Sequence, residues 1–534
     1  MSESLNPVTV EVIGSAFSSA VDEMGEALVR ASHSTNIKER RDCSTALCTA
    51  GGEILCQAEH IPMHLGSFLQ FVPCLLANYP VEDLRPGDVF IGNDPYAGGG
   101  THLPDIVMAE PIFVDGTLFG WAINTAHHSD FADRGHAHVY QEGLRIPPIR
   151  LQRDGVGQPE VMRMFLLNCQ VPAERQSDLR AQMAANRLGV LRIQELCARF
   201  GLDTVRAAGA ELMAYAERKM RAGIAALPDG TWTFSDIFET ESQAEHMTLS
   251  VVLTVEGDEM RLVFDSPPQV RAGLNVIFTA LQATVYYAVK SVVDPTILPN
   301  AGLARPLTIE AQPGTLLNCV HPAAVDGRIS ACQRVVDLIH GALAQAVPDR
   351  VNAAACGSVH VASFSGTRPD GSLWVYLETI AGGSGARPDK DGLDAVQVHM
   401  TNTSNLPLEA LEGEYPITLV EYEFAEDSGG DGTWLGGMGV RRSYRVEADC
   451  RVQIMGARLT SRAWGLDGGG PGASGAFRIN GDPNAIDLSG SADLRAGDLF
   501  EVITPGGGGH GAPSGRSAEL RAADSRAGRS AAPA

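Results

Sequence analysis

The stretch from residue 93 to residue 143 reads NDPYAGGGTHLPDIVMAEPIFVDGTLFGWAINTAHHSDFADRGHAHVYQEG. Two runs within it, IVMAEPIFV at 106–114 and LFGWAINTA at 118–126, are short, apolar and rich in β-branched and aromatic residues. Runs of this composition, separated here by Asp115-Gly116, are typical of β-strands. The stretch therefore predicts strands whose ends carry polar side chains.

Imidazoles and carboxylates are concentrated at these predicted strand ends. Five of the 14 histidines of the chain lie here, and three of the five aspartates of the stretch lie close to them. Neutral imidazole together with carboxylate is the ligand set that suits zinc, manganese or iron(II). The stretch therefore predicts a metal site. The candidate residues are His102, Asp105, His127, His128, Asp130, Asp133, His136 and His138.

Three of these residues, His102, Asp105 and His127, are the best candidates for metal ligands. The spacing His-x-x-Asp places two ligands in one turn, and His127 adds a third from a neighbouring strand end. Strand ends hold such side chains rigidly while the adjoining loops let them converge. The competing interpretation is a hydrogen-bonded polar cluster that supports a loop.

The other histidines of the stretch, and Asp130, are predicted to support the ligands or to lie in a surface loop. A ligating imidazole usually donates its other N–H to a carboxylate or a carbonyl, so His128 and Asp130 are natural partners behind the ligands. His136 and His138 lie beside Arg134, and a surface loop is the interpretation for both.

Hydrophobic spacing before this stretch predicts one helix and two strands. Asn6-Pro7 opens a helix whose apolar stripe runs at steps of three and four and ends near Ser32. The run CSTALCTAGGEILCQA reads as two short strands around Gly51-Gly52. Asp42 then lies at the start of the first of these strands.

The later part of the chain predicts an α+β fold: a multidomain protein with β-rich mixed sheets and long helices. A hairpin is expected at 246–265, and buried helices at 276–293 and 328–347. Two long charged helices divided by Gly201 would form an arm or a packing layer. The predicted regions are an N-terminal metal-binding α/β region at 1–170, a helical arm at 171–228, a central α+β domain at 229–416, a glycine-rich β region at 417–512 and a disordered tail at 513–534.

Net charge and cysteine pattern limit which partners and which cellular compartment are expected for the protein. The net charge of -23 argues against a nucleic acid or an anionic membrane as partner, because both would repel the chain. No apolar window is long enough for a bilayer, and the first residues lack a signal-peptide pattern. The ten cysteines form no C-x-x-C pair, so reduced thiols in a cytoplasmic protein are expected. A thiolate ligand or nucleophile at Cys43, Cys48 or Cys56 remains an alternative.

Familiar nucleotide and hydrolase motifs are missing from the sequence. It contains no G-x-x-x-x-G-K-[ST], no G-x-S-x-G and no H-E-x-x-H. The string from Gly470 to Gly475 matches G-x-G-x-x-G formally, but it holds a proline and precedes a strand-like run, so no dinucleotide site is expected there. Any ATP chemistry must therefore come from elsewhere.

The sequence resembles the hydantoinase B / 5-oxoprolinase family over nearly its whole length. That family includes the metal-bearing subunits of ATP-dependent hydantoinases and lactamases and, more distantly, the α subunits of acetone and acetophenone carboxylases. Such ordered matches specify the family and leave the substrate open. The matching blocks are RRDCSTAL at 40–47, IPMHLGS at 61–67, IGNDPYAGGGTHLPD at 91–105, NTAHHSD at 124–130, YQEGLRIPP at 140–148, GGSGARPDKDGLDA at 382–395, NTSNLPLEALE at 402–412, WGLDGGGPG at 464–472 and TPGGGGHGAP at 504–513.

The resemblance implies one divalent metal, Zn²⁺ or Mn²⁺, held by Asp42, His102, Asp105 and His127. It also implies a hydantoinase A-type partner subunit that carries ATP and Mg²⁺, in an (αβ)2 heterotetramer. One departure is that the family often has glycines where this chain has residues 131–134, FADR. The departure indicates a loop shaped for a particular substrate.

Three functions are consistent with these features. The first is an ATP-dependent amidohydrolase that opens a cyclic amide such as hydantoin, 5-oxoproline or another lactam, with His128 or Asp130 moving the proton. The second is a ketone carboxylase subunit whose metal stabilises an enolate and which consumes bicarbonate. The third is a scaffold for the partner subunit, in which the His/Asp cluster only stabilises the fold.

Overall fold

Helices alternate with predominantly antiparallel sheets along the chain, which confirms the predicted α+β class. The computed structural model describes residues 5–58, 60–128, 137–239, 246–486, 490–527 and 529. Within these residues there are four sheets, one of seven strands and three of four strands. The helices are α1 (Pro7–Ala31), α2 (Thr35–Lys38), α3 (Leu65–Phe68), α4 (Phe71–Asn78), α5 (Pro159–Leu167), α6 (Pro172–Phe200), α7 (Leu202–Ala225), α8 (Phe278–Val293), α9 (Arg328–Ala344), α10 (Leu408–Glu414) and α11 (Ala518–Arg526).

The first helix has the predicted bounds. Asn6 caps it by accepting a 2.9 Å hydrogen bond from the backbone N–H of Val8, and Pro7 occupies the first turn. The residues of the predicted apolar stripe are buried, and the helix ends at Ser32. The stripe packs on strands of the first sheet, so this helix covers one face of it.

The first sheet carries the histidine-rich stretch. Its strand order is β2-β1-β5-β4-β3-β6-β7 and every neighbouring pair is antiparallel. The predicted strands on either side of Asp115-Gly116 are confirmed as its two longest members, and those around Gly51-Gly52 as its edge. The strands are β1 (Cys43–Thr49), β2 (Ile54–Gln57), β3 (Val89–Gly92), β4 (Asp105–Val114), β5 (Thr117–His127), β6 (Ile149–Arg153) and β7 (Val156–Gly157).

The two long helices α6 and α7 form a packing layer, the second of the two arrangements expected for them, rather than the arm assigned to residues 171–228. Gln182 on α6 donates hydrogen bonds of 2.8 Å to Ile106 O and 2.9 Å to Asn124 Oδ1 on the sheet. Asn186, one turn later, donates to Met108 O at 3.0 Å. These amides are fully buried. The charged composition that suggested an arm belongs to the outer face of the helices.

The second sheet and two helices form the middle of the chain. The sheet has the order β11-β10-β9-β8, and the predicted hairpin is its β9–β10 pair. Both predicted buried helices, α8 and α9, are confirmed and pack in the same apolar core. The strands are β8 (Gly230–Glu239), β9 (His246–Glu256), β10 (Glu259–Asp265) and β11 (Leu307–Ala311).

The last two sheets lie mostly after residue 417, where the chain is rich in glycine, but two of their strands lie at 360–380, before the predicted boundary. One has the order β13-β12-β16-β18 and the other β14-β15-β19-β17. Close backbone packing explains the glycines: a Cβ on Gly507 would lie 2.0 Å from Ser384 O. The strands are β12 (His360–Thr367), β13 (Leu373–Ile380), β14 (Ile417–Phe424), β15 (Val440–Val446), β16 (Cys450–Met455), β17 (Ala476–Ile479), β18 (Ser491–Leu494) and β19 (Leu499–Ile503).

The glycine string from Gly470 to Gly475 leads into strand β17, as the strand-like run after it predicted. A Cβ on Gly472 would lie 2.4 Å from Gly506 O, so this string also serves close backbone packing. A dinucleotide loop would instead open a helix whose N-terminus faces the pyrophosphate.

The prediction of a disordered tail from residue 513 is wrong for residues 513–526. Arg516 is 4% exposed and forms a two-pronged ion pair with Asp524 of α11, at 2.6 and 2.7 Å. It forms a second such pair with Asp391, at 2.8 and 2.9 Å. Composition predicted disorder because large apolar residues are scarce there, whereas bidentate arginine pairs hold the segment in place.

Candidate metal centre

The register of the first sheet brings the predicted ligands together. Strand β4 begins at Asp105, strand β5 ends at His127, and these two residues are direct partners across the antiparallel pair. His102 lies three residues before Asp105, in the turn that enters the strand. The ligand atoms of the three residues all lie within 4.8 Å of one another.

His102 is held in the orientation of a metal-binding imidazole. Its Nδ1 lies 3.2 Å from the carbonyl oxygen of Asp326 and 3.4 Å from the Asp326 carboxylate. Its Nε2 lies 3.0 Å from Asp105 Oδ1. Both nitrogens thus face acceptors, and although burial and Arg328 oppose it, Asp105 and Asp326 raise the pKa of His102. A metal would replace the proton on Nε2 while Nδ1–H stays with Asp326, which is the usual arrangement behind a metal-binding histidine.

Asp105 is a fully buried carboxylate whose two oxygens have different partners. Oδ2 accepts a 2.8 Å charged hydrogen bond from Arg328, which also donates to Thr101 at 2.7 Å. Oδ1 faces the histidines. Burial alone would raise the pKa of Asp105, but His102, His64 and Arg328 outweigh it and hold that pKa well below its usual range. The carboxylate is therefore ionised and available to a cation.

His127 is oriented by the short helix α2. Asn36 Nδ2 lies 3.0 Å from His127 Nδ1 and donates to the backbone oxygen of His127 at 2.7 Å. Burial lowers the pKa of His127 to about 4 against the opposing charge of Asp42. The ring is therefore neutral at physiological pH, as a metal ligand must be.

Asp42, which only the family resemblance pointed to, borders the same cluster. It immediately precedes strand β1, and its backbone oxygen accepts a 3.0 Å hydrogen bond from the N–H of His127. Its Oδ1 lies 3.7 Å from Nε2 of His64. The same His64 nitrogen lies 3.6 Å from Asp105 Oδ1. His64 therefore stands between the two carboxylates.

Sequence reasoning missed three residues of this centre: His64, Asp326 and Arg328. His64 is the histidine of the IPMHLGS block, so its presence in a matching block was a usable signal. The sequence pattern gave no indication of Asp326 and Arg328, because both lie more than 220 positions beyond His102. They reach the cluster because the start of α9 packs against the end of the first sheet.

His128 also borders the cavity and has a defined tautomer. Both N–H groups of the Gln182 side chain donate hydrogen bonds, one to Ile106 O and one to Asn124 Oδ1. Its Oε1 lies 3.1 Å from His128 Nε2 and therefore accepts a hydrogen bond from it. His128 Nε2 therefore carries the proton. Its Nδ1 has no hydrogen-bond partner among the described residues. Burial, followed by Arg175, lowers the pKa of His128 to about 4, so the ring is neutral.

The other candidates of the histidine-rich stretch do not join the cluster. Asp130, Asp133 and His136 lie outside the described residues. His138 is described and packs edge-on against Tyr140, with ring centres 5.9 Å apart. It is not among the described residues that line the cavity. The expectation of a loop position for His138 agrees with this placement.

The three clustered cysteines are buried or half-buried thiols rather than ligands. Burial raises the pKa of Cys43 and of Cys48 to about 12, and that of Cys56 to about 11. All ten cysteines of the chain are free. Since the thiolate is the nucleophile and the metal ligand, these pKa values speak against either role. Within the described residues, no helix combines the length and apolar content that crossing a bilayer needs.

The cluster opens onto a cavity of about 150 Å³. The first sheet supplies the polar floor that carries the ligand candidates. The opposite walls come from the start of α9 and from strands β12, β13 and β16, which lie more than 220 positions further along the chain. The cavity is therefore built by regions that are distant in sequence.

The donor set fits a divalent cation. Among the described residues that line the cavity, the carboxylates of Asp42, Asp105 and Asp326 face the single guanidinium of Arg328. These three carboxylates and one guanidinium sum to two negative charges in a largely buried space, and against the opposing effects of burial and Arg328, Asp105 and Asp326 raise the pKa of His102. Buried charge of one sign is costly unless it is paired or coordinates a metal. A doubly charged ion bound by imidazole nitrogen and carboxylate oxygen would neutralise it.

Glu142 holds the segment that supports His102. Its Oε1 accepts hydrogen bonds from the backbone N–H groups of Val325 at 2.5 Å and Asp326 at 2.8 Å. Burial, followed by the charge of Asp326, raises the pKa of Glu142 to about 8. Glu142 is therefore mostly protonated at neutral pH and acts through this carbonyl oxygen.

Glu142→Ala is expected to destabilise the protein by about 1–3 kcal/mol, because it leaves two buried N–H groups without an acceptor. It is also expected to weaken metal binding by about 10–100-fold, since Asp326 no longer holds His102. Glu142→Gln keeps a carbonyl oxygen and serves as the matched control, with near-normal values. Urea unfolding and metal titration measure both quantities. An alanine variant equal to the glutamine variant in both would show that Glu142 positions nothing.

The sequence also identifies the protein family to which this fold and this centre belong. The sequence model described as hydantoinase B/oxoprolinase matches residues 6–513. The chain therefore belongs to the hydantoinase B/oxoprolinase family, which confirms the resemblance drawn from its sequence blocks.

Two relatives span nearly the whole chain. The B component of a putative D-/L-hydantoinase from Pseudomonas sp. is 32% identical over 96% of this chain and 91% of its own length. The β chain of caprolactamase from Pseudomonas jessenii is 30% identical over 98% of this chain and 94% of its own. Both relatives are named as subunits of their enzymes.

Solved structures share the architecture. The crystal structure of ATP-dependent caprolactamase from Pseudomonas jessenii superposes with a TM-score of 0.88 at 28% identity, covering 99% of this chain and 95% of that chain. A nucleotide-free acetone carboxylase superposes with a TM-score of 0.90 at 18% identity, covering 98% of this chain and 78% of that chain. At that identity the second likeness shows the fold alone.

Proposed function

We propose that this chain is the metal-containing subunit of an ATP-dependent amidohydrolase that opens a cyclic amide. The observation that carries the proposal is the buried cluster of His102, Asp105 and His127 at the floor of a small cavity, in a member of the hydantoinase B/oxoprolinase family. The names of its relatives, a hydantoinase subunit and a caprolactamase subunit, support cyclic amides as the substrate class.

The residues that would hold the metal are Asp42, His102, Asp105 and His127, with Zn²⁺ or Mn²⁺ as the ion. When bound, such an ion supplies Lewis-acid polarisation of a carbonyl oxygen and lowers the pKa of a water towards about 7. Asp326 and Arg328 keep the donors in place, one by holding His102 and the other by holding Asp105. Pre-oriented donors of this kind lose little freedom on binding.

His128 is our candidate for moving the proton during ring opening. Its Nε2–H is engaged by Gln182, so the unpartnered Nδ1 is the atom that can accept a proton. The lowered pKa of the ring keeps it in the neutral form that can act as a base. Asp130 remains a second candidate for this role.

The ATP chemistry is assigned to a partner subunit. An unstrained lactam is stable, so phosphorylation of its oxygen would supply the driving force for opening. This sequence has no phosphate-binding loop motif, and the relatives are named as subunits. We therefore propose a hydantoinase A-type partner that carries ATP and Mg²⁺, in an (αβ)2 assembly.

A ketone carboxylase subunit is the second candidate function; the chain shares its fold with acetone carboxylase, and the fold by itself does not separate the two reactions. The same donor set would then serve enolate stabilisation, with bicarbonate as co-substrate. The fate of bicarbonate carbon separates the two reactions. A scaffold role is the third candidate, and full activity of a metal-free complex would indicate it.

The proposal is tested with the chain purified in complex with a hydantoinase A-type subunit. Hydantoin, 2-pyrrolidinone, 5-oxoproline and caprolactam are each incubated with ATP, Mg²⁺ and ¹³C-labelled bicarbonate. We expect ring-opened product that depends on ATP and carries no label, as read by mass spectrometry. Labelled product would indicate the carboxylase, and the absence of ring opening for every cyclic amide tested would refute the proposal.

A further inference from the structure

The walls of the cavity opposite the metal centre are mostly apolar. Leu274 precedes α8, Val361 lies on β12 and Ile454 lies on β16; all three are less than a tenth exposed and line the cavity. Leu377 of β13 and Met455 of β16 add further aliphatic surface. Walls of this kind favour the hydrocarbon part of a ligand.

The polar groups on these walls are neutral. Ser363 of β12 lines the cavity, and its Oγ is buried without a hydrogen-bond partner among the described residues. Thr379 and Thr403 also line it, with their hydroxyl oxygens 2.6 Å apart. A hydroxyl both donates and accepts, so it suits an amide N–H or C=O. None of these three residues offers a charge to a ligand.

The cavity has no spare positive charge among the described residues that line it. Arg328 is the one guanidinium there, and Asp105 and Thr101 already accept its hydrogen bonds. The carboxylates of Asp42, Asp105 and Asp326 together balance Arg328 and one divalent metal ion, so the metal-loaded cavity keeps no unused cation among the described residues that line it. A carboxylate on the substrate would therefore lose its hydration and add a negative charge to a site that is already balanced, and burial of an unpaired ion is strongly unfavourable.

The size of the cavity limits the substrate to one ring. Its volume is about 150 Å³. An engineered protein cavity of about that volume accepts benzene, a single six-membered ring. Fused rings or long substituents would exceed the space.

Building on the proposed function, we infer that the substrate is an uncharged, single-ring cyclic amide and that rings bearing a free carboxylate are rejected. The ring carbonyl faces the metal centre, the aliphatic ring atoms contact the walls, and the Ser363 hydroxyl meets the amide group. Simple lactams and unsubstituted hydantoin belong to this class, and 5-oxoproline does not.

A matched set of five-membered lactams tests the inference. 2-Pyrrolidinone has the bare ring, 5-oxoproline adds a carboxylate, and 5-oxoprolinamide replaces that carboxylate with a neutral group of nearly equal size. Calorimetry measures their binding to the Zn²⁺-loaded chain, and product formation measures turnover in the complex. We expect 5-oxoproline to bind at least about 100-fold more weakly than its amide, a difference typical of a buried unpaired charge.

Equal or tighter binding of 5-oxoproline than of 5-oxoprolinamide would overturn the inference, and so would a failure of all three to bind. Binding in the expected order without ATP-dependent opening would uphold the inference and refute the proposed function. Efficient ATP-dependent opening of 5-oxoproline would uphold the proposed function and refute the inference on substrate charge. The results therefore distinguish a failure of the inference from a failure of the proposed function.

The variant Met455→Arg tests whether an added cation lets the cavity bind a carboxylate. It places a cation on the apolar wall, so the ratio of 5-oxoproline affinity to 5-oxoprolinamide affinity is expected to rise at least about tenfold over wild type. Met455→Gln is the matched control, since it is polar and of similar length but uncharged. An unchanged ratio in a folded arginine variant would count against the inference. The wild-type comparison stands on its own if that variant does not fold.

Discussion

Replacing His102 or His127 with alanine is expected to remove the bound metal and reduce ring opening to the level of a reaction without enzyme. Each substitution deletes a nitrogen from a cluster whose ligand atoms lie within 4.8 Å of one another. Loss of a residue that hydrogen-bonds to a metal ligand weakens metal binding by about 10–100-fold. Loss of the ligand itself should weaken metal binding by more than that. Metal content by mass spectrometry and turnover in the complex are measured together. Asp42→Ala is expected to behave in the same way.

His138→Ala is the matched control for these variants, because His138 belongs to the same stretch and does not line the cavity. It should keep both metal and activity. Chelation of the wild-type complex should abolish turnover, and added Zn²⁺ or Mn²⁺ should restore it. A folded His102 or His127 variant with normal metal content and full activity would refute the ligand assignment.

Arg328→Met is expected to destabilise the metal-free chain by about 3–5 kcal/mol. Arg328 is 4% exposed and pairs at 2.8 Å with Asp105, which is fully buried. Removal of the guanidinium leaves a buried carboxylate without its ion-pair partner, and broken buried pairs cost about this much. Urea unfolding of chelated protein gives the free energy. Added Zn²⁺ should reduce the loss, because a bound cation also compensates Asp105.

The double variant Arg328→Met, Asp105→Asn should recover a large part of that loss, since neither charge remains. Arg305→Met is the surface control: Arg305 is about two-fifths exposed and pairs with Glu217 at 3.1 Å. Exposed pairs contribute about 0–1 kcal/mol, so this variant should unfold near wild type. An Arg328→Met variant as stable as the surface control would show that Asp105 is not ionised in the folded chain.

Local patterns predicted the elements well where one physical rule dominated. The apolar stripe of α1 follows from side-chain spacing, and the buried strands β4 and β5 follow from short apolar runs rich in β-forming residues. The glycine string before β17 was predicted to precede a strand, and it does. Local patterns did not show that α6 packs on the sheet or that the tail is ordered up to residue 526, because both depend on partners elsewhere in the chain. Gln182 bonds to the sheet, and Arg516 pairs with Asp391.

The sequence by itself determined the ligand candidates His102, Asp105 and His127, because strand ends and a tight turn place them by local geometry. The family blocks added Asp42. Only the tertiary structure decided what surrounds them. His64 enters from a separate short segment, and Arg328 arrives with α9 from more than 220 positions away. The apolar walls of the cavity come from still later strands. Spacing specifies neighbours along one strand or turn, whereas the charge balance and shape of a cavity depend on which distant surfaces pack together.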